Sequence, residues 1–483
     1  MIISKNKRDY NKIFLKILIF IFIFSLVSGP FIPDLIVSTS SIFFIYFMIK
    51  KKLFSNIFDN KIISFLILFN IYIFFNSLIS NDVLISLKSA IPFFRFIFFA
   101  LLISYIFQNK DYKTFTLYTF TALYSLIFFD TIFQTIYGFN VLGYEINTER
   151  VSGIFGDELI LGSFVSRTYG IFIFLLFNIS PKNKMILFFY ITSICLIMVI
   201  LSAERTALAI YLIIMFFTFL YLSYKNKFLF IIIISISIIT GFFVNKNSYN
   251  RVINHTFKQI TESNSINLFS FRHQLHFLTA FEIFKDNIFF GAGVKSFRNL
   301  CDDAKYVKKI EKKIISHKNN QFIAPSNGIY FLNEDSIRLV DMSLAIKNTP
   351  PSFAERKDLT FKKKPYFKTM INDGDKFSKG DILFISYEYK NGCNTHPHSF
   401  FMQFLSELGL FGILFFIIIY FKITAYLFKQ IFFTSIKNID YLIIAIFFAT
   451  LSPLLPSGNF FNNYLSILTF LPLGCLNLWK SKR

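Results

Sequence analysis

The chain has 483 residues, of which 54% are hydrophobic and 71 are phenylalanine. A soluble domain does not sustain that content, because its surface needs polar cover, so the composition excludes an ordinary water-soluble fold. The formal net charge of +22 does not point to nucleic acid either, since no basic stripe with interleaved aromatics lies on a soluble module.

In chain order, the apolar residues gather into runs of roughly 17–24 residues, long enough to cross a ~30 Å hydrocarbon core. Twelve spans are predicted, at about 13–29, 31–49, 62–80, 90–107, 114–137, 159–178, 185–201, 206–222, 228–244, 400–421, 440–454 and 463–478. The first run, Ile13 to Gly29, follows Lys5, Lys7, Arg8 and Lys12. It is succeeded at once by a second run with no small-residue cleavage site between, so it reads as a retained helix.

Lys and Arg mark every second short loop: Lys5 to Lys12, Lys50 to Lys52 with Lys61, Lys110 with Lys113, and Lys182 with Lys184. Lys225 with Lys227, Lys429 with Lys437, and Lys480 to Arg483 continue the alternation. The positive-inside rule then puts both termini in the cytoplasm, and twelve crossings close the count. The opposite face receives the loop from Gly138 to Glu158, the Leu201–Thr206 turn and a long segment from about 245 to 399.

Within that segment, Phe269 to Phe290 reads as an amphipathic helix with Arg272, His273 and His276 on its polar side. From about 314 to 390 the pattern changes to short β-like runs such as Asp381 to Tyr389. Turns are expected at Asn372–Gly374 and Lys379–Gly380. The expected architecture is an all-α polytopic membrane protein of about twelve transmembrane helices, with a small β-containing insertion in its large loop. It divides into 1–244 (spans one to nine), 245–399 (the loop, insertion about 314–390) and 400–483 (spans ten to twelve). No internal repeat is visible.

The sharpest local pattern is His396-Pro397-His398-Ser399, then Phe400 to Leu408, then Gly409-Leu410-Phe411-Gly412. It resembles the H-(N/S/Q)-x9-G-x-x-G signature of the bacterial O-antigen ligase and O-antigen polymerase superfamily, with Glu407 fitting a Glu-x-Gly commonly seen there. Physically it is a histidine at the mouth of a helix whose small residues allow close packing. Ser202-Ala203-Glu204-Arg205-Thr206-Ala207-Leu208 looks like the family's Arg-(S/T)-Ala element. Arg272, with Lys285-Asp286-Asn287 and Gly291-Ala292-Gly293 after it, looks like its second Arg element. Arg150-Val151-Ser152-Gly153-Ile154-Phe155 resembles an upstream loop motif.

The resemblance covers about Lys88 to Leu478 and implies a C-type glycosyltransferase-like fold with its active site facing the periplasm. It implies transfer of a glycan from undecaprenyl diphosphate to an acceptor hydroxyl, in the inner membrane, with no metal and no cofactor. Arg205 and Arg272 would stabilise the diphosphate leaving group through bidentate guanidinium contacts, and His398 would take the hydroxyl proton. Arg150, Arg167 and His396 are expected to help bind substrate. The partners implied are the undecaprenyl-diphosphate-linked glycan donor, membrane lipids, and as acceptor the lipid A core (ligase) or a second lipid-linked glycan (polymerase). No nucleic-acid partner is implied.

Plainer readings stand beside these. Arg205 can lie at an interface or pair with Glu204; Arg272 can bind headgroups. Arg167 lies inside a span, where an Arg costs roughly 2.5–3.5 kcal/mol, so it faces either a polar cavity or an ion-pair partner. Glu407 reads as a structural partner, His255 and His317 as surface residues, and Asp302-Asp303 as a solvated pair. A lipid-linked oligosaccharide flippase is the rival from another class. Transporters place ionisable residues at the midplane of repeated halves, whereas the candidates here sit at one face.

Of the four cysteines, Cys195 and Cys475 lie in spans as small apolar residues. Cys301 and Cys393 flank the insertion, and some family members share a Cys before Thr-His-Pro-His and another after the Gly-x-Gly turn. The gap here is unusually long. A Cys301–Cys393 disulfide is expected if that side is oxidising, with two free thiols as the alternative.

Overall fold

The computed structural model describes residues 2–54, 60–146, 150–254, 256–257, 269–301, 303–306, 392–434, 436 and 438–479, with seven strands between 309 and 388. The backbone alone is described for 2–11, 271–272, 304 and the strands. His255, His317, Asp302 and the turns expected at Asn372–Gly374 and Lys379–Gly380 lie outside the described residues.

The first half contributes α1 (Ile2–Ser25), α2 (Phe31–Lys50), α3 (Lys61–Leu78), α4 (Val83–Phe93), α5 (Arg95–Ile106) and α6 (Lys110–Tyr137). After a loop come α7 (Leu161–Ile179), α8 (Lys184–Leu201), α9 (Arg205–Tyr221), α10 (Tyr224–Val244) and α11 (Phe271–Asp286). The chain closes with α12 (Phe400–Phe432), α13 (Asp440–Thr450) and α14 (Asn463–Cys475). Eight described stretches are long and apolar enough to cross a membrane: α2, α3, α4 with α5, α6, α7, α8, α10 and α12. The helices α9, α13 and α14 are apolar but shorter. The chain is thus mostly helical and built for a multi-pass membrane setting.

Helix starts follow polar caps. Asn60 Oδ1 accepts from Ile62 N at 2.9 Å, Asn109 Oδ1 from Asp111 N at 2.8 Å, and Asn462 Oδ1 from Leu465 N at 3.1 Å. The span expected at 90–107 begins earlier, because Asp82 caps a helix at Val83 by accepting from Ile85 N at 3.1 Å. Pro92 then splits that span into α4 and α5, since a proline inside a helix removes a backbone donor.

Helix α7 is the centre of the bundle and packs against α6, α8, α9, α13 and α14. Its central window is 83% buried, against 17% for the peripheral α10. In lipid such packing rests on van der Waals contact rather than on expulsion of water.

The span expected at 400–421 runs on to Phe432 and is broken inside. Gly409 adopts φ 64°, ψ −162° and interrupts the helical ladder. The freed backbone groups are satisfied by the segment that follows α11. Leu410 N donates to Ile288 O at 2.8 Å, Ala292 N to Ser406 O at 2.9 Å, and Gly293 N to Glu407 O at 2.8 Å. A Cβ on Gly409 would stand 2.4 Å from Gly291 N, and one on Gly291 2.4 Å from Leu408 N. The glycine therefore serves a broken helix braced by a second backbone, not the packing of one continuous helix on another. Paired within the protein in this way, non-helical backbone is compatible with a membrane setting.

The amphipathic helix is correspondingly shorter than 269–290. It ends at Asp286, where the chain turns to pair with α12. Beyond it, β1 (Lys309–Ile315), β7 (Ile382–Glu388) and β5 (Phe367–Lys368) form an antiparallel set in the order β1-β7-β5. β2 (Phe322–Ile323) pairs with β6 (Lys376–Phe377), and β3 (Ile329–Asn333) with β4 (Ser336–Val340).

Candidate functional site

The turn from α8 to α9 is the first part of the site. Ala203 adopts φ 52°, a left-handed conformation unusual for a residue with a side chain. It lets Glu204 turn back toward the start of α7, where Gly162 N donates to Glu204 Oε1 at 2.9 Å. Gly162 permits this approach, since a Cβ there would lie 2.3 Å from Ser202 Oγ.

Glu204 does not pair with Arg205. Its partner is Arg150, Nη2 to Oε1 at 3.6 Å, while Arg150 also donates to Ser202 O (3.3 Å) and Leu159 O (2.9 Å). Burial lifts the Glu204 carboxyl to about 7, against the opposing pull of Arg150 and of the Gly162 and Ser163 amides. Arg167, buried in α7, donates to Ser163 Oγ at 2.8 Å and lies within electrostatic reach of Glu204. Among the described residues no carboxylate lies within ion-pair distance of Arg167. Arg205 opens α9, with Nη1 3.4 Å from Thr256 Oγ1, and Arg251 is close enough to act on both Arg150 and Arg205.

The second part is the mouth of α12. His398 adopts φ 55°, and its carbonyl accepts from Ser457 N at 2.9 Å. Ser399 caps α12 by accepting from Met402 N at 3.4 Å. The His398 ring lies 4.1 Å from that of His396, 5.0 Å from His276 and 5.3 Å from His273, centroid to centroid. Asn394 Nδ2 is 2.8 Å from His398 Nε2. Burial, then the neighbouring imidazoles, lower His398 to about 2; burial with His276 and Arg205 lowers His273 to about 4. His396 falls to about 4, chiefly through burial. These three rings are therefore neutral near pH 7.

The two parts meet through α11. His273 faces His398 and lies within electrostatic reach of Arg205. Arg272 precedes His273 on the same helix, and its side chain is outside the described residues. Sequence reasoning placed His273 and His276 on the polar side of α11 without giving them a part in the site, and it missed Asn394. The His-x-x-His spacing on one helical face was the available signal. Among the described residues no group of His, Cys, Asp or Glu is arranged to hold a metal ion.

Cys301 and Cys393 are joined by a disulfide, with Cα atoms 4.9 Å apart. The bridge ties the segment after Gly291–Gly293 to the segment bearing His396 and His398. Glu407 is fully buried below them; its Oε2 accepts from Lys295 N (3.0 Å) and Gln403 Nε2 (2.9 Å). It braces the break at Gly409.

A polytopic helical protein with an Arg-rich turn and an imidazole cluster drawn to one end of its bundle is the class that fold and site define. Residues 190–328 match the family model described as O-antigen ligase, which supports a relation to the O-antigen ligase and polymerase superfamily. The match takes in Arg205, Arg272 and the Gly291–Gly293 turn, and stops short of His398 and Gly409. No curated protein and no solved structure matches the chain.

Proposed function

We propose that the protein transfers a glycan from undecaprenyl diphosphate to a hydroxyl of the lipid A core, in the manner of an O-antigen ligase. The observation that carries the reading is that His273 lies against His398 and within electrostatic reach of Arg205. In the proposed step the acceptor oxygen attacks the anomeric carbon, and the bond from that carbon to the diphosphate oxygen breaks. The electron pair leaves with the diphosphate, and the hydroxyl proton passes to a neutral imidazole.

Arg205 and Arg272 would bind the departing diphosphate, aided by the N-terminal amides of α9, because charge grows there in the transition state. A hydroxyl reaching His398 Nε2 must displace Asn394, so Asn394 holds the ring until substrate arrives. Arg150 and Arg167 act through Glu204, which positions the turn carrying Arg205. The site would face the periplasm, with both termini cytoplasmic and twelve crossings.

The second reading is polymerisation of lipid-linked repeats, which the same motifs serve. A lipopolysaccharide gel of a deletion strain separates the two. Loss of all core-attached glycan with long carrier-linked polymer supports the ligase. Core bearing one repeat supports the polymerase. Unchanged lipopolysaccharide rejects both.

A further inference from the structure

The contact between Asn394 and His398 also decides where the imidazole carries its proton. The Asn394 amide has two ends of opposite kind, an oxygen that only accepts and an NH2 that only donates. Its Oδ1 lies 2.7 Å from Thr395 N, a backbone N–H that can only donate, so the oxygen is held on that side. The NH2 is thereby turned to His398 Nε2, 2.8 Å away, and that nitrogen is the acceptor. A neutral imidazole that accepts at Nε2 carries its proton on Nδ1.

The segment bearing Asn394 is fixed on several sides. Cys393, the residue before it, is bridged to Cys301, whose Sγ lies 3.7 Å from Asn394 O. One residue further back, Gly392 packs so closely on α11 that a Cβ would overlap Thr279 Oγ1 and stand 2.9 Å from Leu275 O. His398 is set independently, since its carbonyl accepts from Ser457 N at 2.9 Å at the start of α12. Donor and ring are thus brought together by separate parts of the chain, and the amide is not free to turn round.

We propose that Asn394 is a positioning residue that holds His398 in the Nδ1–H tautomer, with the Nε2 lone pair aimed where the acceptor hydroxyl will arrive. The amide N–H stands in for the hydroxyl O–H, and on substrate binding one donor replaces another. No proton has to move within the ring before transfer. In the opposite tautomer Nε2 would present a hydrogen to the hydroxyl and could not take its proton. The consequence for transfer rests on the glycan-transfer reading, whereas the tautomer is a property of the resting protein.

The test reads the tautomer directly. The full chain, isotope-labelled at the ring carbons and nitrogens of its six histidines, is studied by solid-state NMR in phosphatidylcholine liposomes at neutral pH. The unprotonated ring nitrogen is identified by its bonded carbon, because Nε2 is joined to Cδ2 and Nδ1 to Cγ. The His398 signal is the one missing from His398→Gln. In the wild type its unprotonated nitrogen is expected to be Nε2. Asn394→Asp keeps the shape and the acceptor for Thr395 N but offers Nε2 only an acceptor, so Nε2 is expected to be protonated in that variant. Its turnover is expected to fall about 100-fold, the lower end of what a general base contributes. Asn394→Ala leaves the ring free to sample both tautomers and is expected to lose less. A merely structural Asn394 gives the reverse order, since Asp is the closer fit.

A wild-type ring protonated at Nε2 overturns the proposal, as does an Asp variant whose Nε2 stays unprotonated. A larger loss of turnover in Asn394→Ala than in Asn394→Asp overturns it too. A tautomer that switches while transfer is unchanged rejects His398 as the base and leaves the hold of Asn394 on the ring standing. The expected wild-type tautomer in a chain that transfers no glycan rejects the enzymatic reading alone.

Discussion

Glu204 and the imidazole cluster respond to acid in opposite directions. Glu204, lifted to about 7 by burial from an ordinary 4.5, gains its proton in the fold while the unfolded chain remains ionised, so acidification from 7 toward 4.5 favours the folded chain. His398, His273 and His396 run the other way. The unfolded chain protonates below about 6.5, whereas burial first, then neighbouring positive charge, holds the folded rings neutral to about 4 or lower. Stability is therefore lost as pH falls below 6.5, and hydrogen exchange of residues 392–399 should rise between pH 6.5 and 4.5. Little change across that window would mean the rings are not shielded in solution. For activity, kcat/KM should drop as pH falls through about 7, where Glu204 releases Arg150. Glu204→Gln should abolish that inflection and leave an acid limb well below 6.5, which a pH–rate profile reads directly. Arg205→Ala should lower kcat about 100- to 1,000-fold, the loss typical of a donor to developing charge. Arg205→Lys should recover little, because an ammonium lacks the planar fork; near-normal turnover by the Lys variant would show that diffuse positive charge suffices.

At the scale of elements, α12 shows how a sequence pattern can be legible while its purpose is not. The glycine at 409 was visible in the motif, and close packing was the evident explanation for it. Its left-handed φ and the pairing with Ile288–Gly293 depend on a segment more than a hundred residues away, which periodicity cannot locate. The same distance hid the meeting of His276 with His398. Apolar runs, by contrast, are local properties, and helices occur where they were expected, with boundary shifts set by caps and by Pro92. Gly409→Ala should be costly, since the added Cβ meets backbone at 2.4 Å and φ 64° is strained for any L side chain. A loss of about 2 kcal/mol or more is expected, seen as a lower unfolding temperature in detergent and reduced transfer. Gly458→Ala is the contrast, because its Cβ would meet only the mobile end of Leu465 at 2.3 Å. If both variants unfold at the same temperature, the break at Gly409 is not a structural requirement.

At the scale of the whole molecule, the alternation of basic loops predicts which ends of the helices share a side, and the cysteine inventory makes this testable. Cys195 and Cys475 are buried, and Cys301 and Cys393 are bridged, so the wild-type chain should react little with a membrane-impermeant maleimide unless reduced. A single cysteine introduced at an exposed loop position then reports its side against a low background. Lys51 follows α2 and Lys225 lies in the first turn of α10, both exposed and close to further lysines; Val141 and Leu142 lie in the Gly138–Glu158 loop and are 60% and 64% exposed. In intact spheroplasts, Val141→Cys and Leu142→Cys should label at once, while Lys51→Cys and Lys225→Cys should label only after the membrane is opened. Thr395→Cys, exposed and three residues before His398, should behave like Val141→Cys, since the proposed site faces the same way. The positions separate two failures. If Thr395→Cys labels only after opening, the site faces the cytoplasm and the transfer reading loses its periplasmic acceptor. If Lys51→Cys and Val141→Cys label from the same side, an odd number of the three spans between them (α3, α4 with α5, and α6) fails to cross, and the count of twelve crossings falls with it.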